Sequence, residues 1–298
     1  MSAICMFPGQ SSLEPSMLAE ASTRWPRTTA ETLERAERRL GEDLSRHLTE
    51  VVPRSNRDVQ LTVFLTNHVH MLARAPSDAA ASLGLSLGEY NHLVHIGALG
   101  FEDAAALVGA RGEAYDRGPR GCMAAVFPLP VAELEPILGR ARVEGCVTIT
   151  NYNSPTQSVI GGEERAVEAA IALIEEETFA QVRRLASDIP MHAPIFRSVV
   201  AAFRPALEGA PWREPRLPYR PNVGARRLDA PTPADFVEHL ARHVCEPVEW
   251  QASIDRVVAE LPTATLLEIG PGKVLTQLLR RPWTAASRLA VAEEVHPA

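Results

Sequence analysis

The chain has 298 residues, of which 46% are hydrophobic and 22% charged, with a formal net charge of −7. That balance fits a globular protein with core enough for one large domain, or for a domain carrying a smaller one. It excludes general nucleic-acid binding, and no apolar run approaches the ~18 residues a membrane span needs.

Residues 3–7 (AICMF) read as a buried strand that stops at Pro8-Gly9-Gln10. The start MSAICMFPGQ lacks the basic and apolar regions of a signal peptide. Residues 30–50 have helical spacing with many charges, and 58–75 (DVQLTVFLTNHVHMLARA) suit a buried helix. A short strand at 79–83 runs into Gly84-Leu85-Ser86-Leu87-Gly88, a G-x-S-x-G pattern. Helices follow at 87–97 and 102–117. The order then changes to strand 122–127, helix 131–140, strand 145–150, strand 157–160, helix 163–176 and strand 180–185. This β-α-β-β-α-β series is ferredoxin-like, so 122–187 read as a small subdomain inserted between 1–121 and 188–298. Beyond it lie a helix at 194–203, a Pro/Arg-rich loop (APWREPRLPYRPN) and helices at 232–245 and 249–260. A strand at 264–269 leads through Gly270-Pro271-Gly272 to a last helix ending at Arg280-Arg281-Pro282. Strands alternating with helices on both sides of the insert imply a mostly parallel sheet covered by helices, an α/β fold. Reactive groups in such folds gather at the carboxyl ends of the strands.

The G-x-S-x-G turn, with a strand before it and a helix after it, has the context of a nucleophile elbow. There the Leu87 backbone N–H, at the helix N-terminus, would face an oxyanion. Ser86 needs a base from elsewhere in the chain. His192, in the loop "IPMHAP" where the insert rejoins the core, is the best placed of nine histidines; it reads equally as a polar loop residue. His68, His70, His92 and His95 invite a metal reading, but no H-E-x-x-H or third-ligand motif supports it, so they read as packing residues. No nucleotide-binding glycine loop is present in "GPGKVL" or "VIGGEE". Cys5, Cys122, Cys146 and Cys245 are scattered with no C-x-x-C, the pattern of reduced thiols in a cytoplasmic protein.

Seven stretches occur in one order: "MFPGQSS", "GLSLGEY", "ALVGARGEAY", "NYNSPTQSVIGG", "IPMHAP", "HVCEPVEW" and "EIGPGKVLTQLLRR". Together they resemble the malonyl-CoA:acyl-carrier-protein transacylase family, from residue 6 to about 281. The resemblance implies a hydrolase-like α/β core with a ferredoxin-like insert. It implies an acyl-serine, ping-pong enzyme with no permanently bound cofactor, whose substrates are a coenzyme A thioester and the 4'-phosphopantetheine arm of an acyl carrier protein. By the same resemblance Ser86 is the nucleophile and His192 the base, oriented by the backbone carbonyl of His243. The backbone N–H groups of Gln10 and Leu87 form the oxyanion hole. Arg111 binds a malonyl carboxylate and Asn153 lines the pocket, although Arg111 alone also reads as a helix-surface ion pair. The sequence departs from the family at position 85, often histidine and here Leu85, and at Met191, where serine or phenylalanine is common. It also has FPGQSS in place of FPGQGS, and Leu13 where glutamine is common. These leave three readings: malonyl transfer from coenzyme A, transfer or hydrolysis of another acyl group on a carrier protein in polyketide synthesis, or a non-catalytic docking module. An acidic carrier protein would need a local basic face, with Arg183, Arg184, Arg197, Arg280 and Arg281 as candidates.

Overall fold

The computed structural model describes residues 2–49, 55–280 and 289–290. The core opens with β1 (Ala3–Phe7), α1 (Met17–Arg24), α2 (Pro26–Leu40), α3 (Arg46–Thr49), α4 (Asn56–Arg74), β2 (Ala81–Gly84), α5 (Gly88–His95) and α6 (Phe101–Asp116). The small sheet and its helices follow as β3 (Cys122–Phe127), α7 (Val131–Ala141), β4 (Val147–Ser154), β5 (Gln157–Gly162), α8 (Glu164–Glu177) and β6 (Gln181–Arg184). The chain returns through α9 (Arg197–Glu208), α10 (Pro233–His243), α11 (Trp250–Glu260), β7 (Thr265–Glu268), α12 (Val274–Leu278) and β8 (Leu289–Ala290).

The first sheet is parallel throughout, in the order β2-β1-β7-β8. Its side chains alternate between two apolar layers, as a sheet covered on both faces requires. Ile4 and Met6 pack with Trp250, Ile254 and Val257 of α11, while Cys5 and Phe7 pack on the other side with Met71 of α4. The helices begin where local chemistry starts them. The Ser55 side chain accepts from the Asp58 N–H at the head of α4, and Thr232 and Asp235 form a capping box at α10. Glu268, at the end of β7, accepts from the N–H groups of Leu275 and Thr276 and so caps α12.

The second sheet is antiparallel, in the order β4-β5-β3-β6, the ferredoxin-like arrangement. Ala124, Val126, Ile149 and Ile160 pack against Leu134, Ile137, Val167 and Ile174 of its own helices. Met123, Ala125 and Val159, pointing the other way, join the large core. Backbone bonds from Val248 N–H to the Thr150 carbonyl and from Tyr152 N–H to the Val248 carbonyl tie β4 to the segment after α10. The fold is therefore the expected α/β hydrolase-like core with a ferredoxin-like small subdomain.

Several element boundaries differ from the sequence reading. The helix expected over 30–50 begins at Pro26 and stops at Gly41, whose φ of 73° only glycine adopts easily. The segment 194–203 starts as a single 3-10 turn, Pro194–Phe196, because proline fixes the entry, and the helix proper runs on to Glu208. Helix α1 was not expected; only Met17, Leu18 and Ala21 of its eight residues are buried, too few to show a period. The last helix is shorter than expected, ending at Leu278; Arg281 and Pro282 lie outside the described residues.

Candidate active site

Ser86 stands between β2 and α5 with a φ of 52°, a left-handed backbone that few non-glycine residues adopt. Its neighbours explain why the turn can be so tight. A Cβ on Gly88 would collide with the Phe7 carbonyl, and a Cβ on Gly9 would sit 2.5 Å from the Leu85 carbonyl and 3.3 Å from the Ser86 Cβ. The Leu85 N–H donates to the Phe7 carbonyl at 3.0 Å. The Pro8-Gly9-Gln10 turn after β1 is thus pressed against the elbow. Among the described residues, neither the Gln10 N–H nor the Leu87 N–H donates to a protein acceptor, so both amides are available beside Ser86.

His192 reaches Ser86 from the loop that follows the small subdomain in the chain. Its Nε2 lies 2.8 Å from the Ser86 Oγ and its Nδ1 lies 2.5 Å from the His243 carbonyl. The His192 N–H donates to the Val244 carbonyl, and the residue takes a φ of 64°. Because a carbonyl only accepts, the proton sits on Nδ1 and Nε2 is the lone pair facing the serine. Burial holds the imidazole well below its ordinary range, assisted by His243 and Arg111 and opposed by the bond to the His243 carbonyl. The ring is therefore an unprotonated acceptor at neutral pH.

Arg111 is not the surface ion pair that its helical position also allowed. It is 1% exposed. Its guanidinium lies 4.3 Å from the Tyr115 ring and 5.7 Å from the Tyr90 ring, and Nη1 donates to Gln60 Oε1 at 2.7 Å. Nη2 is buried with no partner among the described residues, and so are Gln60 Nε2 and Asn153 Oδ1. Asn153 sits in β4 and makes no hydrogen bond to Ser86, His192 or Arg111 among the described residues. Leu85 and Met191 are both buried, Leu85 in the layer under the sheet and Met191 in the large core. The arrangement can activate a hydroxyl, stabilise an oxyanion at two amides, and pair a buried cation with an anionic group.

Four residues that the sequence reading passed over stand directly behind this pair. Asn222 Oδ1 accepts from the Ser86 N–H at 2.9 Å. Its Nδ2 donates to the Gly84 carbonyl at 2.7 Å and to Glu89 Oε2 at 2.8 Å. Glu89 also meets His243 Nδ1 at 2.9 Å and the Tyr219 hydroxyl at 2.5 Å. Gln60 is the fourth, through Arg111. Glu89 had one visible signal, a carboxylate in an otherwise apolar "GLSLGEY"; Asn222 and Tyr219, in an irregular loop, had none.

The chain matches the acyl transferase domain family over residues 7–297. It belongs to that family. It is 32% identical over 288 residues to the malonyl CoA-acyl carrier protein transacylase of Escherichia coli (strain K12), covering 93% of this chain and 91% of that one. An MCAT crystal structure from Streptococcus pneumoniae superposes with a TM-score of 0.86 at 31% identity, covering 97% of this chain and 95% of that one. A type II PKS acyl-carrier protein in complex with its malonyl-transacylase superposes with a TM-score of 0.87 at 26% identity, covering 98% and 95%. The resemblance drawn from the seven motifs is to this family, and the protein is an acyltransferase.

The four histidines of this acyltransferase that invited a metal reading have other partners. His92 and His95 share the Ser82 hydroxyl at 2.7 and 3.1 Å, His68 stacks on Phe101 with ring centres 3.9 Å apart, and His70 packs edge-on to Trp25. Among the described residues no group of three or more His, Cys, Asp or Glu could hold a metal ion. No described helix is long and apolar enough to cross a membrane. Of the basic candidates, Arg184 pairs with Glu168 and Arg280 bonds the Gln277 and Leu279 carbonyls. Arg183 and Arg197 are exposed, and Arg281 lies outside the described residues.

Proposed function

We propose that the protein transfers a malonyl group from coenzyme A to an acyl carrier protein through an ester on Ser86. The observation that carries the choice of acyl group is Arg111: a buried guanidinium near enough to the base to act on it, with Nη2 unpartnered and no ion pair among the described residues. Such a cation is costly to bury unless an anion arrives to pair with it, and a planar fork matches a carboxylate.

In this reading Ser86 Oγ attacks the thioester carbon while its proton passes to His192 Nε2. The tetrahedral oxyanion is held by the N–H groups of Gln10 and Leu87. Collapse forms the acyl-serine and expels the coenzyme A thiolate, which takes the proton back from His192. A carrier-protein phosphopantetheine thiol then gives its proton to His192 and attacks the ester, and the same steps run in reverse. The His243 carbonyl keeps His192 in the required tautomer throughout. Asn153 lines the acyl pocket, with Leu85 and Met191 shaping its apolar side. Arg183 and Arg197 are the exposed charges left to meet an acidic carrier. The division at 121/122 and 187/188, with the site between the two parts, belongs to the same proposal. So does a cytoplasmic place of work, in keeping with four unpaired cysteines.

Incubation with a panel of acyl-CoAs, read as mass added to Ser86 with Ser86→Ala as blank, tests the reading. Malonyl loading supports it. Loading by neutral acyl groups with malonyl ignored would favour the second reading, a different acyl group, to which the apolar Leu85 and Met191 point. No adduct from any donor would return the protein to a docking role.

A further inference from the structure

A serine–histidine pair usually has a carboxylate on the histidine, which holds its tautomer and offsets the positive charge formed during the reaction. Here the position against His192 Nδ1 is taken by a backbone carbonyl. A carboxylate is nevertheless present, one residue further back. Glu89 lies on α5, one turn after Ser86, and is 1% exposed. Oε2 meets His243 Nδ1 at 2.9 Å, and the His243 ring is stacked on the His192 ring, with centres 4.6 Å apart and planes within 15°. Oε2 also accepts from Asn222 Nδ2, whose Oδ1 holds the Ser86 N–H. Oε1 accepts from the Tyr219 hydroxyl.

We propose that Glu89 is the positioning residue that joins the two halves of the site. Through Asn222 it holds the left-handed elbow of Ser86. Through His243 it fixes the ring and the carbonyl on which His192 rests, and it places a negative charge behind the base when His192 takes the serine proton. The charge is maintained by its surroundings. Burial alone would raise the carboxyl, but His243, Tyr219 and His92 together outweigh it and hold Glu89 below its usual range. Three contacts on one buried carboxylate are more than packing requires; an apolar residue of similar size would fill the same space without the desolvation cost.

This role rests on Ser86 and His192 being the reacting pair, but not on malonyl being the acyl group. The test therefore uses a fluorophosphonate, which labels an activated serine whatever its natural donor. Ser86 Oγ bonds to phosphorus, fluoride leaves, and the serine proton passes to His192; Ser86→Ala is the blank. Glu89→Gln is expected to lower kinact about 10- to 100-fold with KI unchanged, the usual cost of removing a support behind a functional histidine. Glu89→Asp should recover part of the rate. His243→Phe keeps a ring and the carbonyl but loses the donor, and adding Glu89→Gln to it should cost clearly less than the same change in wild type, because the His243 arm is already lost and only the Asn222 and Tyr219 contacts remain to be weakened. A Glu89→Gln kinact within about twofold of wild type, or losses that multiply in full on the His243→Phe background, would overturn the proposal. If Glu89→Gln does not fold, Tyr219→Phe removes one donor to the same carboxylate. It should lower kinact with KI unchanged, and an unchanged kinact there overturns the proposal equally. Rapid fluorophosphonate labelling without any malonyl loading would refute the malonyl reading and leave the role of Glu89 standing.

Discussion

Replacing Arg111 by methionine separates a substrate-binding cation from a structural one. The side chain is 1% exposed, holds one hydrogen bond to Gln60, leaves Nη2 unpartnered, and has no ion-pair partner among the described residues. A charged hydrogen bond is worth about 1.5–3 kcal/mol, so losing two of them to a malonyl carboxylate, each near the low end of that range, should cost roughly 3–4 kcal/mol in the transition state. At about 1.4 kcal/mol per decade that is a fall of roughly 10²–10³ in kcat/KM for malonyl-CoA. Acetyl-CoA offers no carboxylate and should lose less than about tenfold. The free enzyme should at the same time gain stability, because an unpaired buried charge is replaced by an apolar chain of similar length. The loss of the Tyr115 contact and of the hydrogen bond to the buried Gln60 Oε1 limits the gain to at most about 1 kcal/mol, or roughly 2–4 °C in Tm. Rates of acyl-Ser86 formation from the two donors, with a thermal melt of each variant, measure all three effects. Equal losses for malonyl and acetyl, or a lower Tm, would show that Arg111 supports the fold and would remove the argument for malonyl.

Acid should unfold the protein steeply. Burial, foremost, holds His68, His70 and His92 near pKa 3 and His95 near 4, against 6.5 for a free imidazole. The unfolded chain takes these protons first, so the stabilisation is complete above pH 6.5 and is lost as pH falls. Each site contributes a slope of at most about 1.4 kcal/mol per pH unit, which places unfolding between roughly pH 4 and 5.5. His68→Leu, removing a ring with neither nitrogen bonded, should flatten the dependence by about one proton in a pH series of denaturant melts. Gly88→Ala should cost more than about 3 kcal/mol or abolish folding, since the new methyl meets the Phe7 backbone and not a movable side chain; Gly41→Ala, with open space around it, should cost only about 1 kcal/mol in the same chemical melts.

The elements that alternate visibly were legible in the sequence. The six pieces of the small sheet appear within a few residues of their expected places, because each is short, apolar and bounded by turns. The Ser86 turn could be recognised because its strand, glycines and helix are consecutive. Its contact with His192, 106 residues away, needed either a structure or a resemblance. What stayed hidden depends on long-range polar contacts of irregular chain. Asn222 reaches the Ser86 N–H across 136 residues from a loop with no period, and Tyr219 reaches Glu89 across 130. Helix α1 was hidden for the opposite reason, having too few buried positions to make a pattern.

Backbone groups account for much of the proposed chemistry: the N–H of Gln10, the N–H of Leu87 and the carbonyl of His243. Any side chain at those positions leaves the group in place, so the side chain is free to serve elsewhere. At position 243 it does: its carbonyl faces His192 at 2.5 Å while its ring, turned back, meets Glu89 at 2.9 Å. One residue thus separates the two jobs of a triad acid, with orientation given by the carbonyl and charge by the carboxylate behind the ring. The same logic applies at position 85. Leu85 donates its N–H to the Phe7 carbonyl, a backbone bond that does not depend on which side chain stands there. In the proposed reading its replacement of a polar residue bears on which acyl group fits beside Ser86, and leaves the means of activating Ser86 untouched.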